Sequence, residues 1–123
     1  MLSNAKTING DLFRRLLISG AINLQNNIRT INNLNVFPIP DGDTGDNMYL
    51  TLKGGVDQII TVKDDTLGKE AVALANGMLL NARGNSGVIL SQLFFGLSEG
   101  LANLKEATLT EFAYAMEKGV ERA

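Results

Sequence analysis

A chain of 123 residues is long enough for one domain with a single core and too short for two. Hydrophobic residues at 45% and charged residues at 20% describe a packed globular protein, and a net charge of −2 gives no reason to expect a nucleic-acid partner. With neither cysteine nor histidine, disulfides, thiolate chemistry, Ser-His-Asp triads and the common zinc sites are excluded within the chain, so any bound metal should be a hard, oxygen-preferring one.

From Met1 to Leu17 the apolar residues are interrupted by Asn4, Lys6, Asp11, Arg14 and Arg15, so the unbroken apolar core of a signal peptide is missing. No stretch approaches a membrane span, and a cytoplasmic location is the expectation. Between Asp11 and about Ile31, Leu12, Phe13, Leu16, Leu17, Ala21, Leu24, Ile28 and Ile31 recur at helical spacing. The pattern predicts one long amphipathic helix, with Asn9 as its N-cap and Gly20 as a point of close packing against a neighbour. Pro38 and Pro40 remove backbone donors and force their predecessors into extended conformations, so the chain reaches Asp41 stiff and extended.

Gly42 and Gly45 break regularity twice, and a second helix is expected from near Asp46 or Asn47, turning Met48, Leu52, Val56, Ile59 and Ile60 inward. Asp64, Asp65 and Thr66 form a polar turn, with Thr66 capping a helix through Leu67, Ala71, Leu74, Ala75, Met78 and Leu79 that Gly84 ends or kinks. A further helix is expected from around Ser86 through Val88, Ile89, Leu93, Phe94 and Leu97 to about Leu101. The last follows Thr108, whose spacing to Glu111 is that of a capping box ahead of Phe112, Ala115, Met116 and Val120. Its charges, Glu117, Lys118, Glu121 and Arg122, read as a solvated face. Five helices and no strand give an all-α fold, most simply an up-and-down antiparallel bundle.

Two segments carry candidate chemistry. In Asp41-Gly42-Asp43-Thr44-Gly45 an extended backbone aims the carboxylates of Asp41 and Asp43 to one side, and a divalent cation would make their close approach favourable. A helix starting just afterwards offers free N–H groups and the positive end of its dipole to a phosphate. The same residues also make an ordinary surface turn, since Asp and Gly are common turn formers. An EF-hand does not fit, because Leu52 stands where its bidentate Glu should be. In Asn81-Ala82-Arg83-Gly84-Asn85-Ser86-Gly87, two glycines and a hydroxyl again precede an apolar helix; the segment is either an anion cradle or a capped helix-loop-helix corner. Neither segment is a Walker A or Rossmann fingerprint.

Taken together, Asn35 to Met48 (NVFPIPDGDTGDNM) and Asn81 to Leu93 (NARGNSGVILSQL) resemble the DhaL-like nucleotide-binding domain of dihydroxyacetone kinases and bacterial fatty-acid kinases. The Asn-Val-aromatic-Pro lead-in and Ile8-Asn9-Gly10 are most similar to the fatty-acid kinase branch. The resemblance implies a barrel of antiparallel helices that holds ATP through two magnesium ions, with Asp41 and Asp43 as metal ligands. It implies that Thr44, Asn47, Gly84, Asn85, Ser86 and Gly87 contact the nucleotide phosphates. In that branch a fatty-acid-binding partner protein presents the acyl chain and the product is an acyl phosphate.

Three departures accompany the resemblance. Val36 stands where dihydroxyacetone kinases have a further aspartate, leaving Asn35 or Asp46 as candidates for a third metal ligand. Asp46 replaces the small hydroxyl residue usual in related sequences. Residues 1–123 cover only the front part of the family's domain, so the isolated chain is expected to be inactive and to cover unpaired apolar faces by self-association or with another chain. A regulatory module that binds magnesium and nucleotide without phosphotransfer is the alternative reading.

Overall fold

The computed structural model describes residues 7–34, 42–63 and 66–123. Among them run strand β1 (Thr7–Asn9), helices α1 (Gly10–Asn26), α2 (Ile28–Leu34), α3 (Thr44–Ile59), α4 (Leu67–Leu80) and α5 (Gly84–Leu101), strand β2 (Glu106–Thr108) and helix α6 (Leu109–Arg122). The all-α expectation holds, with six helices in place of five. The opening amphipathic segment is two helices, because Asn27 leaves the helical path at φ −113 and ψ 10 while its Nδ2 donates to the Asn23 carbonyl at 2.8 Å. A local amide-to-backbone bond of this kind competes with helix propagation. Gly20 does not mark a close contact; the space a Cβ would occupy there is open.

The expectation of no strand is also corrected. β1 and β2 pair antiparallel, with Thr7 opposite Thr108, Ile8 opposite Ala107 and Asn9 opposite Glu106. Three residues are too few to leave an alternating pattern in the sequence. This clip brings the starts of α1 and α6 together, each with its own side-chain cap. Asn9 Oδ1 accepts the Leu12 N–H at 2.8 Å, and Thr108 with Glu111 forms the predicted capping box.

α3, α4, α5 and α6 pack as successive antiparallel neighbours. Gly54 lies against Asn81 and Gly77 against Gln58 across the α3–α4 pair; Gly68 meets Leu101 and Ala102 across α4–α5; Gly96 meets Gly119 and Gly100 meets Ala115 across α5–α6. α1 crosses α3 and α4, so the buried core runs from Phe13 through Leu52, Ile59, Leu67, Leu74 and Met78 to Leu97 and Leu101. Each fully buried one of these, such as Phe13, Ile59 or Met78, stabilises the fold by roughly 1.5–3 kcal/mol relative to its exposed form. Phe13 also meets Phe112 of α6 with ring centroids 6.4 Å apart.

A polar rivet fastens α1 to α4. Arg14 Nη2 lies 2.7 Å from Oε2 of Glu70, a fully buried residue; Nε donates to Oε1 at 3.1 Å, and Nη2 also donates to the Val62 carbonyl at 2.8 Å. Ile60, expected inward, is 55% exposed because α3 ends one residue before it. The charges of α6 are exposed, as expected; Arg122 also stacks over Phe95 at 4.4 Å and reaches Glu99 at 3.5 Å. α6 also turns Leu109, Met116 and Val120 outward, so its apolar arc is wider than the part α5 covers. No described helix is long and apolar enough to cross a membrane.

Candidate functional site at two helix N-termini

α3 and α5 lie side by side with their N-termini at the same end of the bundle, and both candidate segments meet there. Ser86 Oγ donates to the Thr44 carbonyl across this junction at 3.5 Å. Gly84, the first residue of α5, has φ +64, and a Cβ there would run into the Asn47 side-chain amide. Only glycine satisfies both the left-handed backbone and the close approach. Asn85, Ser86 and Gly87 complete the first turn of α5, whose amides have no acceptor within the helix until the Gly87 N–H reaches the Arg83 carbonyl at 3.1 Å.

The junction is locked from beneath by Thr51, a fully buried residue. Its Oγ1 donates to the Asn47 carbonyl at 2.7 Å and accepts the Arg83 N–H at 3.1 Å, tying the second turn of α3 to the residue that leads into α5. Sequence reasoning did not single out Thr51. The available signal was a hydroxyl one turn after Asn47, beside Leu52 in the apolar stripe of the helix.

α3 begins at Thr44, two or three residues before the sequence pattern places it. Asp43 occupies the N-cap position at φ −123 and ψ 11, is exposed, and makes no cap bond with its side chain. The cap comes from α2: Asn32 Oδ1 accepts the Gly45 N–H at 2.7 Å, and Asn32 Nδ2 donates to Asp46 Oδ2 at 2.8 Å. Gly45 allows α2 this close, since a Cβ would lie 2.7 Å from the Ile28 carbonyl oxygen. Sequence reasoning missed Asn32 as well, because its partners lie across a loop.

The sequence-predicted residues Thr44, Asn47, Gly84, Asn85, Ser86 and Gly87 are thus brought to one junction, with Asp43 at the mouth of α3. Asp41 and Asn35 lie outside the described residues. Asp46, the other candidate for a third ligand, has one carboxylate oxygen committed to Asn32. Among the described residues no group of three or more acidic side chains could hold a metal. On the flank, Leu50, Lys53, Gly54, Asp57, Asn81 and Arg83 line a hollow of about 150 Å³. Chemically, two adjacent helix N-termini present unpaired amides and the positive ends of two dipoles, which together favour an anion.

A model of the DAK2 domain matches residues 38–123. Protein YloV of Bacillus subtilis is 46% identical over 118 residues, covering 96% of this chain and 21% of that protein. An uncharacterized protein of Staphylococcus epidermidis is 45% identical over 116 residues, and one of Staphylococcus aureus is 43% identical over 116 residues; each alignment covers 94% of this chain and 21% of the relative. The chain therefore spans about a fifth of the length of the curated relatives it matches. It belongs to the DAK2 domain family, the ATP-binding domain of the dihydroxyacetone kinases.

Proposed function

We propose that this chain is the ATP- and magnesium-holding part of a kinase that phosphorylates a fatty acid, presented by a partner protein, to give an acyl phosphate. The observation that carries the reading is the parallel junction of α3 and α5, across which Ser86 Oγ reaches the Thr44 carbonyl at 3.5 Å. The first-turn amides of α5, the Ser86 hydroxyl, Thr44 and the Asn47 amide supply donors for phosphate oxygens. The donor set fits magnesium: it consists of oxygens, and the Asp43 carboxylate is exposed and not spent on capping. Asp43, together with Asp41 from the sequence motif, would hold the ion, whose chemistry is to offset the negative charge of the phosphates.

The fatty-acid acceptor rests on the likeness of the Asn35-Val36-Phe37-Pro38 lead-in to the fatty-acid kinase branch. A fatty-acid carboxylate is already ionised near neutral pH, so no residue here needs to remove a proton from it. Its oxygen forms a bond to the γ-phosphorus as the bond to the β–γ bridging oxygen breaks, and the electron pair leaves with ADP. The chain's own residues hold the phosphates and lower the repulsion between two anions.

Calorimetric titration of MgATP into the complete domain and its Asp43→Asn variant tests the site, with thermal melts beside it. Loss of a ligand charge should weaken binding at least ~10-fold while the melting temperature stays level or rises slightly, because repulsion in the empty loop is relieved. Equal affinities would end the reading. In the longer polypeptide, nucleotide binding with no acyl phosphate formed from fatty acid and its carrier would favour the regulatory alternative over the kinase.

A further inference from the structure

Asn32 belongs to neither motif, yet both ends of its side-chain amide are spent on the first turn of α3. Oδ1 accepts from the Gly45 N–H at 2.7 Å and Nδ2 donates to Asp46 Oδ2 at 2.8 Å. The orientation of the amide is fixed by its partners, since a backbone N–H can only donate and an ionised carboxylate can only accept. Gly45 is the second residue of α3, and its N–H is among those that an N-cap side chain ordinarily takes. An aspartate at the N-cap is well suited to that task, but Asp43 does not perform it. Capping has been moved to a different helix.

We infer that Asn32 is a positioning residue for the metal–phosphate site: by capping α3 from outside it leaves the Asp43 carboxylate to the ligand, and it holds the Asp46 carboxylate against α2. The inference rests on the nucleotide reading above. Without Asn32, the residue in the N-cap position to take the Gly45 amide is Asp43, and a carboxylate folded back onto its own helix is a poorer metal ligand. Asn32 touches neither metal nor nucleotide in this scheme, so its effect should track magnesium, not fold stability.

The test measures ADP affinity by calorimetry, with and without magnesium, on the complete domain and on its Asn32→Ala, Asn32→Asp and double Asn32→Asp/Asp46→Asn variants. Asn32→Ala should lower magnesium-dependent affinity about tenfold, as loss of a partner that orients a metal ligand does, and leave magnesium-free binding nearly unchanged. Asn32→Asp alone should be worse, because it sets a carboxylate against that of Asp46. The double exchange should recover most of the loss: the introduced carboxylate still accepts the Gly45 N–H, and the amide introduced at position 46 donates to it. Unchanged magnesium-dependent affinity in Asn32→Ala, a loss equal with and without magnesium, or no recovery in the double variant would each overturn the positioning role and leave the nucleotide reading standing. If the unsubstituted complete domain binds no nucleotide with magnesium, both fall together.

Discussion

The N-terminus of α4 and the paired N-termini of α3 and α5 are the same physical object put to different use. At α4 the chain closes the helix end with its own carbonyls: the Leu67 N–H donates to Lys105 O and the Gly68 N–H to Leu104 O, each at 2.9 Å. Glu70 in that first turn is answered by Arg14, which also holds the Val62 carbonyl. At α3 and α5, neither N-cap side chain bonds to its own helix. The α3 cap arrives from α2, and Thr51 braces the junction from the buried side. A helix end becomes a candidate anion site when the surrounding chain leaves amides unanswered, and a structural joint when it answers them.

The largest effect that would sharpen this contrast is at the closed end. Arg14→Ala leaves the Glu70 carboxylate, which has no exposed surface, without its cation. It should cost about 3–5 kcal/mol of unfolding free energy in urea titrations. Nucleotide affinity of the molecules that remain folded should not change. A fall in affinity with stability preserved would mean that the two ends have been assigned the wrong way round.

Next in size is Gly84→Ala at the open end. A side chain at φ +64 costs roughly 1–2 kcal/mol from the backbone alone, and its Cβ collides with the Asn47 amide. Stability should fall by about 2 kcal/mol, and nucleotide affinity should fall with it, because Asn47 is displaced from the junction. Thr108→Ala then serves as a control for a helix start that is capped but unconnected to the site. Losing its capping-box bond should cost about 1 kcal/mol in the melt and leave nucleotide binding as it was.

What could be read from the sequence was what is local. The Asn9 cap and the Thr108–Glu111 box lie within three residues of their partners, and both are found in the structure. The apolar spacings of α3 to α6 likewise gave four helices with ends only a few residues off. The Arg14–Glu70 pair joins residues 56 apart, and no periodicity reports such a contact. It did leave one trace, a glutamate set among Leu67, Ala71 and Leu74 in an otherwise apolar stripe. The two site segments are 42 residues apart at Ser86 and Thr44, so their meeting depends on how α3 packs beside α5. Family resemblance supplied that adjacency in advance; the spacing of residues did not. Asn32 and Thr51 were not legible because each acts by reaching across to another element.

The smallest expected effect tests whether the charges beside the open end belong to it. Lys53 Nζ lies 2.8 Å from Asp57 Oδ2, one turn further along α3. The hydrogen bond to Asp57, and then its charge, hold the Lys53 ammonium above its ordinary 10.5. A raised folded-state pKa contributes stability that is fully present below the unfolded value and is lost as pH rises through the folded one. The stability difference between the chain and Lys53→Gln should therefore be flat around neutral pH and shrink above about pH 10.4. It should be small throughout and smaller still in high salt, since the pair is exposed and runs lysine first, the weaker order on a helix. If Lys53 is occupied by Asp57 in this way, Lys53→Gln should leave MgADP affinity unchanged. A clear loss of affinity would instead extend the open end into the hollow lined by Lys53 and Arg83 and make it larger than the two helix termini alone.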